Sequence, residues 1–374
     1  MRSRCASPQS MLTSAWATGA VATITFVTLT LAGTHAPAQQ DRPAAPVSPM
    51  LKLPTVASEF IFTQAPFEQC HASTLVELPD GDLLAAWFGG RREGDKGVAI
   101  WGARRSRGAW RAPQEFAREM GVACWNPVLF RLDQTVWLFY RYGTSPKSWH
   151  GAWRTSTDGS VWSAPTYLLP SSAPGAEILG PIKNKPIRLA NGDVLAGSSV
   201  ETPTTWQCWV EISHDRCRTW TKYGPIGVPG APYGVIQPAV WETAPGKLKM
   251  LMRSTERIGF ICESASDDGG RTWTPARATA LPNPNSGIDA VKMADGTVAL
   301  VYNHTHSGRT PLNLAFSRDE GRTWSAPYIL EDQPGEYSYP AIIQTRDGLL
   351  HITYTWQRQR IKHVAIDPKA LALH

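Results

Sequence analysis

One short phrase recurs along this chain and limits its possible folds more than any other feature. Residues 266–273 read SDDGGRTW, and 317–324 read SRDEGRTW. At 213–220 the phrase is SHDRCRTW, with Cys217 in the place of glycine. At 156–162 it is one residue short, STDGSVW, and a trace remains in RRSRGAW, which ends at Trp110. The tryptophans at 110, 162, 220, 273 and 324 lie 52, 58, 53 and 51 residues apart. A period near 50 is the mark of a repeat architecture, so no segment can be read in isolation. Each phrase is a turn: Ser and Asp accept from nearby backbone N–H groups, and Gly supplies a positive φ. The spacing assigns these aspartates a structural role.

A second repeat runs out of phase with the first. Polar turns at Asp80-Gly81, Asp133-Gln134, Asn191-Gly192, Pro245-Gly246, Asp295-Gly296 and Asp347-Gly348 each separate two short apolar runs. Asn-Gly and Asp-Gly in that setting signal β-hairpins. Six hairpins, each followed by an outer turn, predict an all-β fold: a six-bladed β-propeller with about four strands per blade. Blades bury their faces only against neighbours, so residues 56–374 are expected to form one unit.

Upstream, Arg2 and Arg4 precede an apolar stretch from Ala15 to Ala32, and Ala36-Pro37-Ala38 has the form of a cleavage site. Residues 1–38 are therefore expected to be a signal peptide, with an uncleaved anchor as the alternative. Residues 39–55 are expected to be a Pro/Ala-rich linker. The protein is expected to be secreted or periplasmic, a monomer, and without stable membrane insertion once cleaved. The formal charge of +6 comes without a Lys/Arg run, which argues against nucleic acid as a partner. Five cysteines follow the leader, and Cys208 with Cys217 is the pair best placed for a disulfide. No Cys or His spacing suits a metal, and no cofactor is expected.

The innermost strand of a propeller blade starts near the central axis, so residues at the six starts converge. Here the starts carry His71, Asn126, Lys183, Gln237, Asp289, and Tyr337 with Tyr339. Further groups follow the first hairpins: Arg91, Arg92 and Asp95 in GGRREGD, Arg253 in LKMLMRS, and Arg309 after LVYNHTHSG. Polar groups that converge at one concave place are the default binding site.

These residues and the Asp boxes resemble the sialidases, and more closely the bacterial sialidase-like proteins with Asp-box (BNR) repeats. The resemblance covers the chain from about residue 60. It implies an exo-acting glycoside hydrolase whose arginines hold a sugar carboxylate, with an aspartate acid/base and a tyrosine nucleophile. Carried over by motif, Asp95 is the acid/base, with Arg91 and Arg92 beside it. Arg253 and Arg309 bind the carboxylate, and Tyr337 is the nucleophile. Asn126, Lys183, Gln237 and Asp289 complete the substrate-binding set. Two positions depart from the family pattern. His71 stands where an arginine is expected, and Gln237 stands where a glutamate assists the tyrosine.

The implied partner is a glycan with an acidic terminal sugar, sialic or uronic. A phenol needs help to ionise, and Gln237 cannot take its proton. His71 is open to three readings: a donor to a carboxylate, a general acid or base, or a strand cap. Two other functions use the same residues, a uronate lyase and a catalytically silent glycan-binding propeller.

Overall fold

The computed structural model describes residues 51–168 and 177–371. The expected signal peptide and most of the linker lie outside these residues. Within them the protein is a six-bladed β-propeller. Five hairpins of the second repeat join the first two strands of blades 1 to 5. An example is Gln69–Glu77 with Leu83–Gly90, around the turn at Asp80-Gly81. The sixth joins Tyr337–Gln344 to Leu350–Trp356 in blade 6.

The ring is closed by the start of the chain. Thr55–Phe60 pairs antiparallel with Arg360–Ile366 and becomes the outer strand of blade 6. Leu51–Lys52 pairs parallel with Tyr328–Glu331 at the edge of blade 5. Residues 51–55, assigned to the linker by composition, thus already contribute strand.

Why the chain closes into a ring is visible in its cores. Six apolar clusters are present, each shared by two adjacent blades. Leu129, Leu138 and Tyr140 of blade 2 meet Leu84, Phe88 and Ile100 of blade 1. Ile352 and Tyr354 of blade 6 meet Val301 and Leu314 of blade 5. Two junctions run from blade 3 to blade 4 and from blade 4 to blade 5. The remaining two join blade 6 to blade 1 and blade 2 to blade 3. No blade has a core of its own, so burial is gained only when neighbours stack.

The Asp boxes pin the third strand of a blade to its fourth. In 266–273, Asp268 Oδ1 accepts from the amides of Arg271 at 3.0 Å and Thr272 at 2.9 Å, and Oδ2 accepts from the Thr272 hydroxyl at 2.6 Å. The Ser266 hydroxyl donates to Asp268 at 2.8 Å and accepts from the Gly270 amide at 3.0 Å. The same bonds recur at Asp319, where the Thr323 hydroxyl and then its amide hold the carboxyl well below the usual range. In 213–220 the turn survives without its glycine. Cys217 adopts φ 71° and its amide still reaches the Ser213 hydroxyl at 2.8 Å. Cys217 and Cys208 are both free thiols, as are Cys70, Cys124 and Cys262, so the expected disulfide is not formed. Burial leads the causes that push the Cys217 thiol up to about 12. The box is a brace, so Asp268→Ala is expected to lower stability by about 1–2 kcal/mol and leave activity intact. A thermal melt beside a turnover assay checks both halves.

Candidate functional site

The site is built by a repeated irregularity in the innermost strands. The strand register skips between His71 and Thr74, Trp125 and Val128, Ile236 and Ala239, and Ser338 and Ala341. Inside each skip one residue takes a positive φ: Ala72 59°, Asn126 36°, Gln237 58° and Tyr339 51°. Lys183 does the same in blade 3, at 66°. Such bulges bend a strand and re-aim a side chain, at a cost of about 1–3 kcal/mol for each non-glycine residue in this region. The bend turns side chains of several blades inward to one place. Gly287 marks it, because a Cβ there would lie 3.2 Å from Lys183 Cε, 3.5 Å from Gln237 Oε1 and 3.6 Å from Tyr339 Cδ2.

Tyr339 is the centre of the cluster. Its phenol oxygen receives Arg253 Nη1 at 2.8 Å and Gln237 Nε2 at 3.3 Å. Arg253 also donates to Gln237 Oε1 at 3.2 Å and, through Nε, to Asn285 Oδ1 at 2.9 Å. The Arg253 and Arg309 guanidinium carbons lie 5.7 and 5.8 Å from the centre of the Tyr339 ring. His71 packs on the same ring, centroid to centroid 4.2 Å. Its Nδ1 is buried without a hydrogen-bond partner. Burial first, and then Arg358, Arg309, Arg253 and Lys183, hold the imidazole well below its ordinary range, so it is neutral.

Tyr337, the tyrosine expected from sequence, lies in a core and not beside Arg253. Tyr337 is only 1% exposed and packs in the core between blades 5 and 6, near Trp356. The reason is the bulge, which places the inward-facing side chain two residues later than the short motif suggested. Lys183 and Asp289 also have structural duties. Lys183 crosses the axis to donate to the carbonyls of Ile288 and Pro340, and burial leads the causes that lower its amine to about 7. Asp289 pairs with Lys185 at 2.9 Å and accepts from the Ile342 amide at 2.9 Å. Arg91 is exposed and lines a surface hollow with Phe67, Trp101 and Arg118, away from Tyr339. Arg92 is exposed and holds Asp95, its Nε 2.9 Å from Oδ1. Asn126 is buried at its bulge, with no partner for its amide among the described residues.

Asp95 sits on the loop 91–98, which arches over the same end of the axis. Gly94 lies beside Trp125 of blade 2, and Glu93 pairs with Arg358 of blade 6. Arg358 is the group that sequence reasoning missed. Its Nε donates to both oxygens of Glu336, at 3.0 and 3.1 Å, and Glu336 also takes Arg309 Nη1 at 2.9 Å. The signal was present: Arg358 follows the second strand of blade 6, just as Arg253 ends that of blade 4. Arg253 of blade 4 and Arg309 of blade 5 therefore lie against Tyr339, and Arg358 of blade 6 is tied to Arg309 through Glu336. Glu201 was missed as well. It ends the second strand of blade 3 on the same face as Ser199, whose hydroxyl accepts the Gln237 amide at 2.7 Å. Burial pushes its carboxyl up to about 7, against the pull of Arg253.

Residues 81–352 match the family model of the BNR repeat-like domain. The chain belongs to that family. This BNR-repeat propeller is also similar to solved structures. A Dyadobacter fermentans protein of unknown function shares 18% identity at a TM-score of 0.71, over 83% of this chain and 98% of that one. A Hadza microbial sialidase shares 19% identity at 0.70, over 82% and 67%. The NanB sialidase of Streptococcus pneumoniae shares 13% at 0.67, over 88% and 71%. At these identities the likeness is one of fold. No curated protein matches the chain.

Proposed function

We propose that the protein is an exported glycoside hydrolase acting on an acidic sugar, sialic or uronic. The observation that carries this reading is the pair Arg253 and Arg309 against Tyr339, with Arg358 joined to Arg309 through Glu336. Guanidinium forks suit a planar carboxylate. Arg309 and Arg358 would take the sugar carboxylate, in competition with Glu336 and Glu93. Tyr339 oxygen would attack the anomeric carbon. Asp95 would give its proton to the leaving oxygen, and would later take one from the water that frees the sugar. A neutral phenol avoids the repulsion that a carboxylate nucleophile would meet beside the substrate's own carboxylate. Arg253 and Gln237 donate to the oxygen where charge develops. His71, neutral and packed on the ring, would take the phenol proton during attack and return it to the Tyr339 oxygen when water releases the sugar.

The same neutral His71 favours a second reading, elimination from a uronate. There the arginines would acidify the proton next to the carboxylate, Tyr339 with His71 would remove it, and the glycosidic bond at the β-carbon would break as Asp95 protonates the leaving oxygen. One experiment tests both: the purified chain with a fluorogenic sialoside, and with a uronate polysaccharide followed at the absorption of unsaturated uronates. Release of fluorophore supports hydrolysis, and a rise in absorbance supports elimination. Arg253→Ala is expected to lower kcat/KM by about 10²–10³ in either case. Binding of both glycans without product would overturn the enzyme readings and leave a glycan-binding propeller.

A further inference from the structure

On the side of the axis away from the Asp95 loop, two aromatic rings continue the site outward. Trp206 opens the third strand of blade 3, Trp206–Ser213, and Tyr233 lies two residues ahead of the innermost strand of blade 4, Val235–Ala244. Both ends lie at the face where Arg253 ends its strand. The path out from the centre is continuous. Arg253 donates to the Tyr339 hydroxyl, its guanidinium carbon lies 5.5 Å from the centre of the Trp206 ring, and that ring lies 4.6 Å from Tyr233 at an angle of 35°. Tyr233 is 44% exposed, one of few large apolar side chains on the described surface. An aromatic pair that runs from a half-buried Trp206 to an exposed Tyr233 and is joined to a polar site signals a ligand surface.

The rings are held in place by backbone rather than by chance packing. Trp206 donates its amide to Pro232 O at 2.9 Å and accepts the Gly234 amide at 3.3 Å, closing a parallel bridge around Tyr233. The Thr255 amide reaches Gly234 O at 3.0 Å, and its hydroxyl reaches Tyr233 O at 3.4 Å. Thr255 is two residues past Arg253. The segment before Tyr233, residues 224–232, holds three prolines, which limit its freedom. The shelf is thus preorganised relative to Arg253, so little order is lost when a ligand arrives.

We propose that Trp206 and Tyr233 form a second sugar position, which stacks the pyranose ring adjoining the acidic sugar on the side away from the leaving group. This rests on the acidic-sugar reading above and deepens it. The loop with Asp95 leans on blades 6, 1 and 2, while the shelf stands between blades 3 and 4. A substrate spanning both is a chain of at least two units beyond the cleaved bond, an acidic oligosaccharide rather than a single terminal sugar.

The test measures binding of two pairs of probes to the full chain by calorimetry. The pairs are galacturonate with trigalacturonate, and free sialic acid with its α2,8-linked trimer. The trimer of the preferred sugar is expected to bind at least about tenfold more tightly than its monomer. Tyr233→Ala is expected to remove that ratio and leave monomer binding unchanged, while Tyr233→Phe keeps it. Ring-current shifts on the sugar protons of the bound trimer should vanish in the same Ala variant. A trimer that gains nothing over the monomer, or a gain that survives Tyr233→Ala, overturns the shelf alone. Absence of binding by every monomer and trimer overturns the acidic-sugar reading and the shelf with it.

Discussion

Tyr339→Phe is expected to abolish turnover, by about 10³-fold or more, while Tyr337→Phe leaves it close to wild type. The two tyrosines are two residues apart on one strand, so the comparison is unusually clean. Tyr337 lies in the blade 5–6 core, and its phenyl ring rather than its hydroxyl fills that space. Tyr339 lies at the axis, and removal of its oxygen strands Arg253 Nη1 and Gln237 Nε2 with one partner fewer. Stability is expected to change little in either variant, because Phe keeps the ring in place. The check is steady-state turnover of both variants on whichever glycan the wild type cleaves. Loss of activity in Tyr337→Phe with activity retained in Tyr339→Phe would return the nucleophile to the position read from the motif.

The second large effect is on stability in acid. A buried chain of bonds ties the closing strand to blade 6. Arg105 Nε donates to Glu59 Oε1 at 2.8 Å, His363 Nδ1 lies 3.1 Å from the same oxygen, and His363 Nε2 lies 2.9 Å from His351 Nδ1. The bonds fix the tautomers: His363 Nδ1–H points at Glu59, so its Nε2 accepts from His351. A second proton on His363 would face the His351 donor. Burial leads the causes that lower both imidazoles to about 4, and Glu59 cannot reverse this with Arg105 already on it.

The sign follows from linkage. Both groups titrate lower in the folded chain than the ordinary 6.5, so the unfolded chain binds the extra protons. Stability is full above pH 6.5 and falls as pH drops from 6.5 to about 4. For one such histidine the whole window amounts to about 3 kcal/mol. Melts between pH 7.5 and 4.5 should show this fall. His363→Gln should flatten it, even though the variant starts from a lower plateau. An equally steep fall in that variant would place the acid sensitivity elsewhere.

Much of the fold was legible because turns are local. All six hairpin turns and four Asp boxes stand where the sequence put them, since Gly, Asn and Asp at fixed offsets decide backbone φ without help from distant residues. The site was legible in part. Arg253, Arg309, Gln237 and His71 do meet, because each follows a rule of position within a blade. Tyr339 was legible at its strand start, but the short Tyr-Ser motif gave the role to Tyr337, because a bulge that re-aims the next side chains leaves no mark in the sequence. Arg358 was hidden by attention to blade 1, where its counterpart was sought. The Lys183 and Asp289 duties were out of reach from sequence, since they depend on carbonyls and amides of other blades.

The repeated bulges have a consequence for how such a protein can change. In five blades the same strained position presents Ala72, Asn126, Lys183, Gln237 or Tyr339; Ala72 and Tyr339 also pack in the junction of blades 1 and 2, while Asn126, Lys183 and Gln237 stand outside the six apolar junctions. At those three positions chemistry and cohesion are written in separate letters. Such a socket can exchange its residue without disturbing the packing between blades, so the polar lining of the axis can change while the architecture stays constant.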